Sequence, residues 1–288
     1  MKNVYLTLGA ILRDQEHYIQ EWLLFHHAVG VERFVLVLHR CDDRTEEKIV
    51  QVRDRFDLDI QIHHLSEQGK VQMGVYRRLV RLYGQATFWL LLLDSDEFLY
   101  SDSIFDVKEH LAGFERFGGL SVHQKVFGSD DHIVRPRGSQ LEAYKKRVPR
   151  THFLCKGIKS LFQPAKLIDL LSPHMQLVRD ESVRVDGKPF VSRDFWCSEE
   201  SPIHSPLCVN HYYTRSMQDW VQRYRRGSCN DAKTGTAYSV EEFLAINDAA
   251  TEVDYSILRI AGRYQAMLAS LADPAPSVFS ERLAGACL

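Results

Sequence analysis

The sequence predicts an α/β fold, a mostly parallel sheet flanked by helices on both faces and followed by a less regular second half. Three observations carry this expectation. Strand-like and helix-like segments alternate in the order β-α-β-α-β-α-β through the first part of the chain, the pattern of parallel strands joined by crossover helices. The fourth strand, "TFWLLLL" from Thr87, is a continuous apolar run, as strands buried on both faces are. Polar clusters follow the second and fourth strands, at Arg40 to Thr45 and Asp94 to Glu97. Both therefore fall on the carboxyl edge of the sheet, where ligands of such folds bind.

The elements follow in order. "VYLTLGAIL", starting at Val4, is a buried strand by its apolar density. In "EHYIQEWLLFHHAVG", Tyr18, Trp22, Phe25 and Val29 recur at helical spacing, and Gly30 can end the helix. "RFVLVLH" is the second strand, "TEEKIVQVRDRF" a helix with Ile49, Val52 and Phe56 on one face, "LDIQIHHL" the third strand and "VQMGVYRRLVRLYG" the third helix. A helix is expected over "SIFDVKEHLAGF", just beyond the acidic residues. Later strands are read at "GGLSVHQKVFG", "THFLCKGIKSLFQP" and "PLCVNHYYT". "SMQDWVQRYRRG" is a helix opened by a Ser216/Asp219 capping box and closed by Gly227, with further helices at "VEEFLAINDAA" and "DYSILRIAGRYQAMLASLA". This organisation is one domain, 1–272, with halves 1–100 and 101–272, and a tail, 273–288, expected to be flexible.

Bulk properties narrow the function classes. With 288 residues, 45% of them hydrophobic, the chain can bury a large core. A net charge of −2 gives no support to general nucleic-acid binding. The run Phe88 to Leu93 is too short to span a bilayer, and the N-terminus reads as a strand rather than a signal peptide. None of the six cysteines has C-x-x-C spacing, so zinc-ribbon and redox motifs are absent. Reduced thiols and a cytoplasmic setting are expected, compatible with a place at the inner membrane surface.

The chemistry centres on "DSDE". Asp94 and Asp96 are two apart at a strand end and point to the same side. Oxygen ligands of this kind suit Mg²⁺ or Mn²⁺, which are held by one or two carboxylates together with substrate phosphates. The adjacent histidines His26-His27 and His63-His64 cannot chelate, because neighbouring side chains diverge on a helix or strand.

"FWLLLLDSDEFL" resembles the D-x-D-E-F segment of GT-A glycosyltransferases, in particular glycosyltransferase family 92 and its bacterial family-2-like relatives. Other segments match in order: the opening with Glu21, Trp22, His26 and Gly30; "CDDRT"; "KVFGSDDH"; "KGIKSLFQP", with Lys159, Ser160 and Pro164; and "VNHYYTRSMQDWVQRYRRG". The match runs from about Val4 to Gly227. Departures are Arg40-Cys41-Asp42-Asp43, where relatives carry an Asn- or Ser-rich turn, Asp130 and Asp131, where relatives carry Ser or Gly, and the region from Val183 to Ser205, which matches nothing recognised.

The resemblance implies a GT-A fold with a nucleotide-binding half, 1–100, and an acceptor half, 101–272. It implies transfer of a sugar, for which galactose is one candidate, from a nucleotide donor that is UDP-linked, with inversion, to a glycan or glycolipid. Asp94, Asp96 and His211 would hold Mn²⁺ or Mg²⁺. Asp43, Gln72, Asp94, Lys159 and Arg226 would bind the donor, with Lys156 and Arg225 as further diphosphate candidates. Asp130, Asp131 and Glu142 are the alternatives for the base that deprotonates the acceptor hydroxyl, with His132 and His174 as secondary site histidines. Two rival readings remain. A sugar nucleotidyltransferase shares the architecture but opens with a Gly-rich phosphate loop, whereas "LGAILRDQEHY" has only Gly9. A non-catalytic nucleotide-sugar-binding protein would not need Asp94, Asp96 and His211 intact.

Overall fold

In a computed structural model, residues 2–226 and 239–271 are described. The tail 273–288 therefore lies outside the described residues, as do Gly227, Cys229 and Cys287. The main sheet has nine strands: β1 (Val4–Leu12), β2 (Arg33–His39), β3 (Asp59–Leu65), β4 (Thr87–Leu92), β5 (Glu97–Ser101), β6 (Gly119–Val126), β7 (Ile158–Phe162), β8 (Ser182–Arg184) and β9 (Leu207–His211). Their order is β3-β2-β1-β4-β7-β6-β9-β5, with β8 also paired to β6. The first four strands are mutually parallel. β7 is antiparallel to both β4 and β6, and β5 is antiparallel to β9. The mixed α/β class and the mostly parallel sheet are thus as the sequence predicts.

The helices α1 (Ile19–Ala28), α2 (Thr45–Phe56) and α3 (Gln72–Tyr83) cover the two faces. Alternating strand residues sort between them. Leu36 and Leu38 join a core with Trp22, Phe25, Ile49 and Val52 of α1 and α2. Val35 and Val37 join Val75, Tyr76 and Leu79 of α3 on the other face. Gly30 ends the first helical segment with φ at +107°, a conformation glycine adopts without steric penalty. A Cβ there would lie 2.1 Å from Asp106 Oδ1, so this position excludes larger residues twice over.

Three expectations are corrected. No long helix follows the acidic residues: the chain enters β5, and helix is confined to Lys108–Leu111 with a 3₁₀ turn at Ala112–Phe114. The reason is local, since Glu97 N–H donates to Asp94 O (3.1 Å) and Asp94 N–H to Glu97 Oε2 (2.9 Å), closing a tight turn that launches the buried Phe98-Leu99-Tyr100. In "THFLCKGIKSLFQP" only Ile158–Phe162 is strand, because Phe153–Lys156 forms a 3₁₀ turn. The last helix also opens in 3₁₀ form at Ser256–Ile260.

The longer helices of the second half, among the described residues, are α4 (Met217–Arg226), α5 (Val240–Ala249) and α6 (Ala261–Ser270). The Ser216/Asp219 capping box of α4 is reciprocal: Asp219 N–H donates to Ser216 Oγ (3.2 Å) and Ser216 N–H to Asp219 Oδ2 (3.4 Å). α6 packs on its own domain, where Tyr264 stacks edge-on against Phe25 of α1 and donates its hydroxyl to Glu21 Oε1 (3.0 Å).

Candidate active site

The site forms where the two halves of the sheet meet. The ladder between β9 and β5 sets His211 opposite Glu97, and the ladder between β9 and β6 sets His211 opposite Val126. Lys159 of β7 reaches the same place from the strand next to β4. Its ammonium lies 2.9 Å from Asp94 Oδ2 and 2.8 Å from Glu97 Oε2, and Lys159 and Glu97 are both fully buried. Gln124 of β6 completes the floor, with Nε2 donating to Glu97 Oε1 (2.6 Å) and Oε1 3.4 Å from His211 Nδ1.

Charge compensation explains how three acids stay together. Burial opposes ionisation of Asp94, but the Lys159 ammonium holds its carboxyl below the usual range. Burial also opposes the charge on Asp96, yet Arg223, His211 and Arg215 hold it well below the carboxylate range. Burial pushes Glu97 up, with Lys159 working against that rise. Lys159 itself is raised by Asp94 and Glu97 in spite of its burial. Part of the neutralisation expected of a cation is thus done by Lys159 and by Arg223, which is ion-paired to Asp96 Oδ2.

Beside the cluster is a narrow cleft lined in part by Gln15, Tyr18, Arg135, Arg215, Asp219 and Arg223. Arg215 bridges the two halves of the fold. It donates to Gln15 Oε1 after β1 (3.0 Å) and to Ser95 O inside the acidic turn (2.8 Å), and it lies 3.8 Å over the Tyr18 ring.

The expected site residues fall into distinct places. Asp43 lies just before α2: its Oδ1 accepts from Thr45 N–H (2.9 Å) and its Oδ2 from Glu16 N–H (2.9 Å), tying together the loops after β1 and β2. Gln72 begins α3, buried, with Nε2 donating to Tyr76 OH (3.2 Å) and Oε1 without a partner among the described residues. Asp130 accepts from Lys145 N–H (3.1 Å), and Asp131 is 82% exposed and pairs with Lys146. Both take left-handed backbone, with φ at 50° and 66°, which Asp tolerates better than most residues. Exposed Glu142 accepts from Gln265 Nε2 (2.7 Å). None of these three is hydrogen-bonded or ion-paired to Asp94, Asp96 or His211 among the described residues. His132 stacks edge-on against Tyr144. Lys156 donates to Glu199 O (3.1 Å), Arg225 is exposed, and the Arg226 side chain lies outside the described residues.

The sequence reading overlooked Arg215, Arg223 and Gln124. Arg223 had a signal: it follows the buried Trp220 by three residues and so shares the inward face of α4.

A divalent cation can be tested against these groups. Asp96 Oδ1 and His211 Nε2 are 3.7 Å apart, too far for a hydrogen bond. Two donors on one ion with bonds of about 2.1 Å stand roughly 3 Å apart, so small movements would let both bind. Carboxylate oxygen suits Mn²⁺ or Mg²⁺, and an imidazole nitrogen beside it shifts the preference towards the transition metal, Mn²⁺. Asp94 is drawn towards Lys159, and Asp94, Asp96 and His211 do not all bring ligand atoms within 4.8 Å of one another; the described group that does is Asp14, Cys41 and Asp43. There, both Asp43 oxygens already accept protein hydrogen bonds. Of the two groups, the Asp96 and His211 donor set fits such an ion better.

Among the described residues, no helix is long and apolar enough to cross a membrane. No protein-family model matches the chain. A protein of Oryza sativa subsp. japonica named as a glycosyltransferase family 92 protein is 24% identical over 212 residues, 72% of this chain and 33% of that protein. The chain thus spans about a third of its relative's length. Among solved structures, S. aureus TarS 1–349 in complex with UDP-GlcNAc is 16% identical, covering 56% of this chain and 46% of that one with a TM-score of 0.37. HddC from Yersinia pseudotuberculosis is 8% identical, covering 63% and 90% with a TM-score of 0.39. The sequence similarity is thus to a protein named for glycosyltransferase family 92.

Proposed function

We propose that the protein is a metal-dependent glycosyltransferase that moves a sugar from a UDP-linked donor to a hydroxyl of a glycan or glycolipid, with inversion. The observation that most supports this reading is the acidic turn Asp94–Glu97 at the carboxyl edge of the sheet, with Lys159, Arg223 and His211 converging on it. The orphaned Gln72 Oε1 suits a ribose or base donor, since a buried acceptor left unpaired is costly.

The geometry supports a set of roles. Asp96 and His211 would hold Mn²⁺ or Mg²⁺, which when bound supplies positive charge to the leaving diphosphate. Arg215 and Arg223 stand beside the same position and stabilise the charge that grows there. Lys159 is buried beneath the carboxylates and orients Asp94 and Glu97, a role behind the surface rather than against the phosphates. For the base, Asp130 is favoured over Asp131 and Glu142. It is 13% exposed, and it follows Phe127, whose N–H donates to His211 O (2.8 Å).

Two tests arise here. His211→Ala is expected to raise the Mn²⁺ concentration for half-maximal transfer about tenfold or more, in line with the cost of disturbing metal coordination. Calorimetric titration of Mn²⁺ in the presence of UDP should move in parallel; an unchanged Mn²⁺ requirement removes His211 from the ion. Asp130→Asn is expected to lower kcat by about 10²–10⁴-fold with donor KM little changed, because proton removal matters only in the transition state. If Asp130, Asp131 and Glu142 amides all turn over normally, the base lies elsewhere.

A further inference from the structure

Resting on the glycosyltransferase reading, we propose that Trp196 is the stacking platform for the acceptor's sugar ring, with His174 beside it accepting a hydrogen bond from a ring hydroxyl. Trp196 belongs to the region from Val183 to Ser205, where the sequence matches nothing recognised. It sits at the tip of a small hairpin, Ser192–Asp194 paired with Cys197–Ser198.

That tip is pinned to the floor of the site. Ile158 N–H donates to Trp196 O (3.0 Å), one residue before Lys159, whose ammonium holds Asp94 and Glu97. Gly157 makes the approach possible. A Cβ there would lie 2.8 Å from Gln124 Oε1 and 3.5 Å from Trp196 Cζ3. Gly157 thus has on its two flanks the indole and Gln124, which touches both Glu97 and His211.

Exposure distinguishes this tryptophan from the others. Trp22, Trp89 and Trp220 are fully buried, whereas Trp196 is 37% exposed and its neighbour Phe195 66%. An amphipathic ring with an open face beside a polar cluster matches the two-sided chemistry of a pyranose, which offers C–H groups to a π face and hydroxyls to the rim. His174 supplies the rim. Its Nδ1 lies 2.9 Å from Ile158 O, a group that can only accept, so Nδ1 carries the hydrogen and Nε2 keeps its lone pair. Asp94, Lys159 and His211 are the titratable groups that act on it.

Position assigns the ring to the acceptor rather than the donor. The ends of β1, β2 and β4 lie on one side of the acidic turn, where Gln15, Asp43 and Gln72 also sit. The Trp196 hairpin is hydrogen-bonded to Ile158 of β7, and β7 and β6 continue the sheet beyond β4 on the opposite side.

Acrylamide quenching of tryptophan fluorescence isolates Trp196 in the intact protein, because its three companions are buried. Methyl glycosides of glucose, galactose, mannose and N-acetylglucosamine serve as probes, each with and without UDP and Mn²⁺. At least one is expected to shield the quenchable component, and that shielded component should be missing from Trp196→Phe. With the same sugar as acceptor, Trp196→Ala is expected to raise acceptor KM roughly tenfold, the loss of one aromatic contact, while donor KM stays within twofold. Trp196→Phe should recover part of the loss. Quenching that no glycoside changes overturns the proposal, as does shielding by a UDP-sugar alone, which would give the platform to the donor. Because the fluorescence arm needs no turnover, its failure is separable from failure of the transferase reading, which is judged by UDP-sugar binding and hydrolysis.

Discussion

Asp96→Asn should lower transfer by about 10²–10³-fold, the scale on which preorganised charge stabilises a transition state, while leaving the fold intact. Asp96 is almost fully buried, and its two oxygens face different partners. Oδ2 pairs with Arg223, and Oδ1 faces His211 Nε2 at 3.7 Å. The amide keeps the volume and one acceptor oxygen but removes the charge that would face a cation. Losing a charge-assisted hydrogen bond to Arg223 should cost about 1.5–3 kcal/mol of stability, so the variant is expected to melt lower yet fold. The measurement is UDP-sugar hydrolysis and transfer across a Mn²⁺ titration, beside a thermal melt. Activity within twofold of wild type in a folded protein would end the assignment of Asp96 to the reaction.

Much of the Rossmann-like half was legible because its signals are local. β1, β2 and α2 span Val4–Leu12, Arg33–His39 and Thr45–Phe56, where the apolar runs and the Ile49, Val52, Phe56 stripe place them. Strand β5 was not legible. "EFLYS" follows β4 after only a short turn, yet its hydrogen-bonding partner is β9, more than a hundred residues later, and periodicity within a window says nothing about so distant a partner. The same limit hid the role of Gln124, which is set by the neighbouring strands of the sheet. The basic end of α4 held a second, less visible signal. Adjacent Arg225 and Arg226 attract attention as a cluster, but the face shared with Trp220 brings Arg223 to Asp96. Asp43 likewise carried a second meaning: an Asp can accept from the backbone N–H two residues on, and here it does so from Thr45, the first residue of α2.

Lys159 also had an overlooked signal, a lysine within a strand whose neighbours are all apolar or small, which can be buried there only if carboxylates meet it. Lys159→Met should therefore be the most destabilising single change at the site, costing about 3–5 kcal/mol, the scale for removing one partner of a buried ion pair. Its ammonium holds Asp94 at 2.9 Å and the fully buried Glu97 at 2.8 Å. Without it, Glu97 keeps the upward push from burial and from the charges of Asp94 and Asp96 and loses the opposing cation. The sign of the pH dependence follows. A carboxyl whose folded pKa lies above its unfolded value binds protons more readily in the folded state, so its penalty is absent below the unfolded pKa and develops as pH rises through the folded one. The gap in stability between Lys159→Met and wild type should be widest near neutrality and narrow as pH falls towards the ordinary glutamate range. Adding Glu97→Gln should recover part of the loss, as coupled partners do in a double-mutant cycle. Urea unfolding at several pH values measures all three quantities. A gap below about 1 kcal/mol at neutral pH, or one that widens in acid, would mean that the buried ammonium does not hold the acidic turn together.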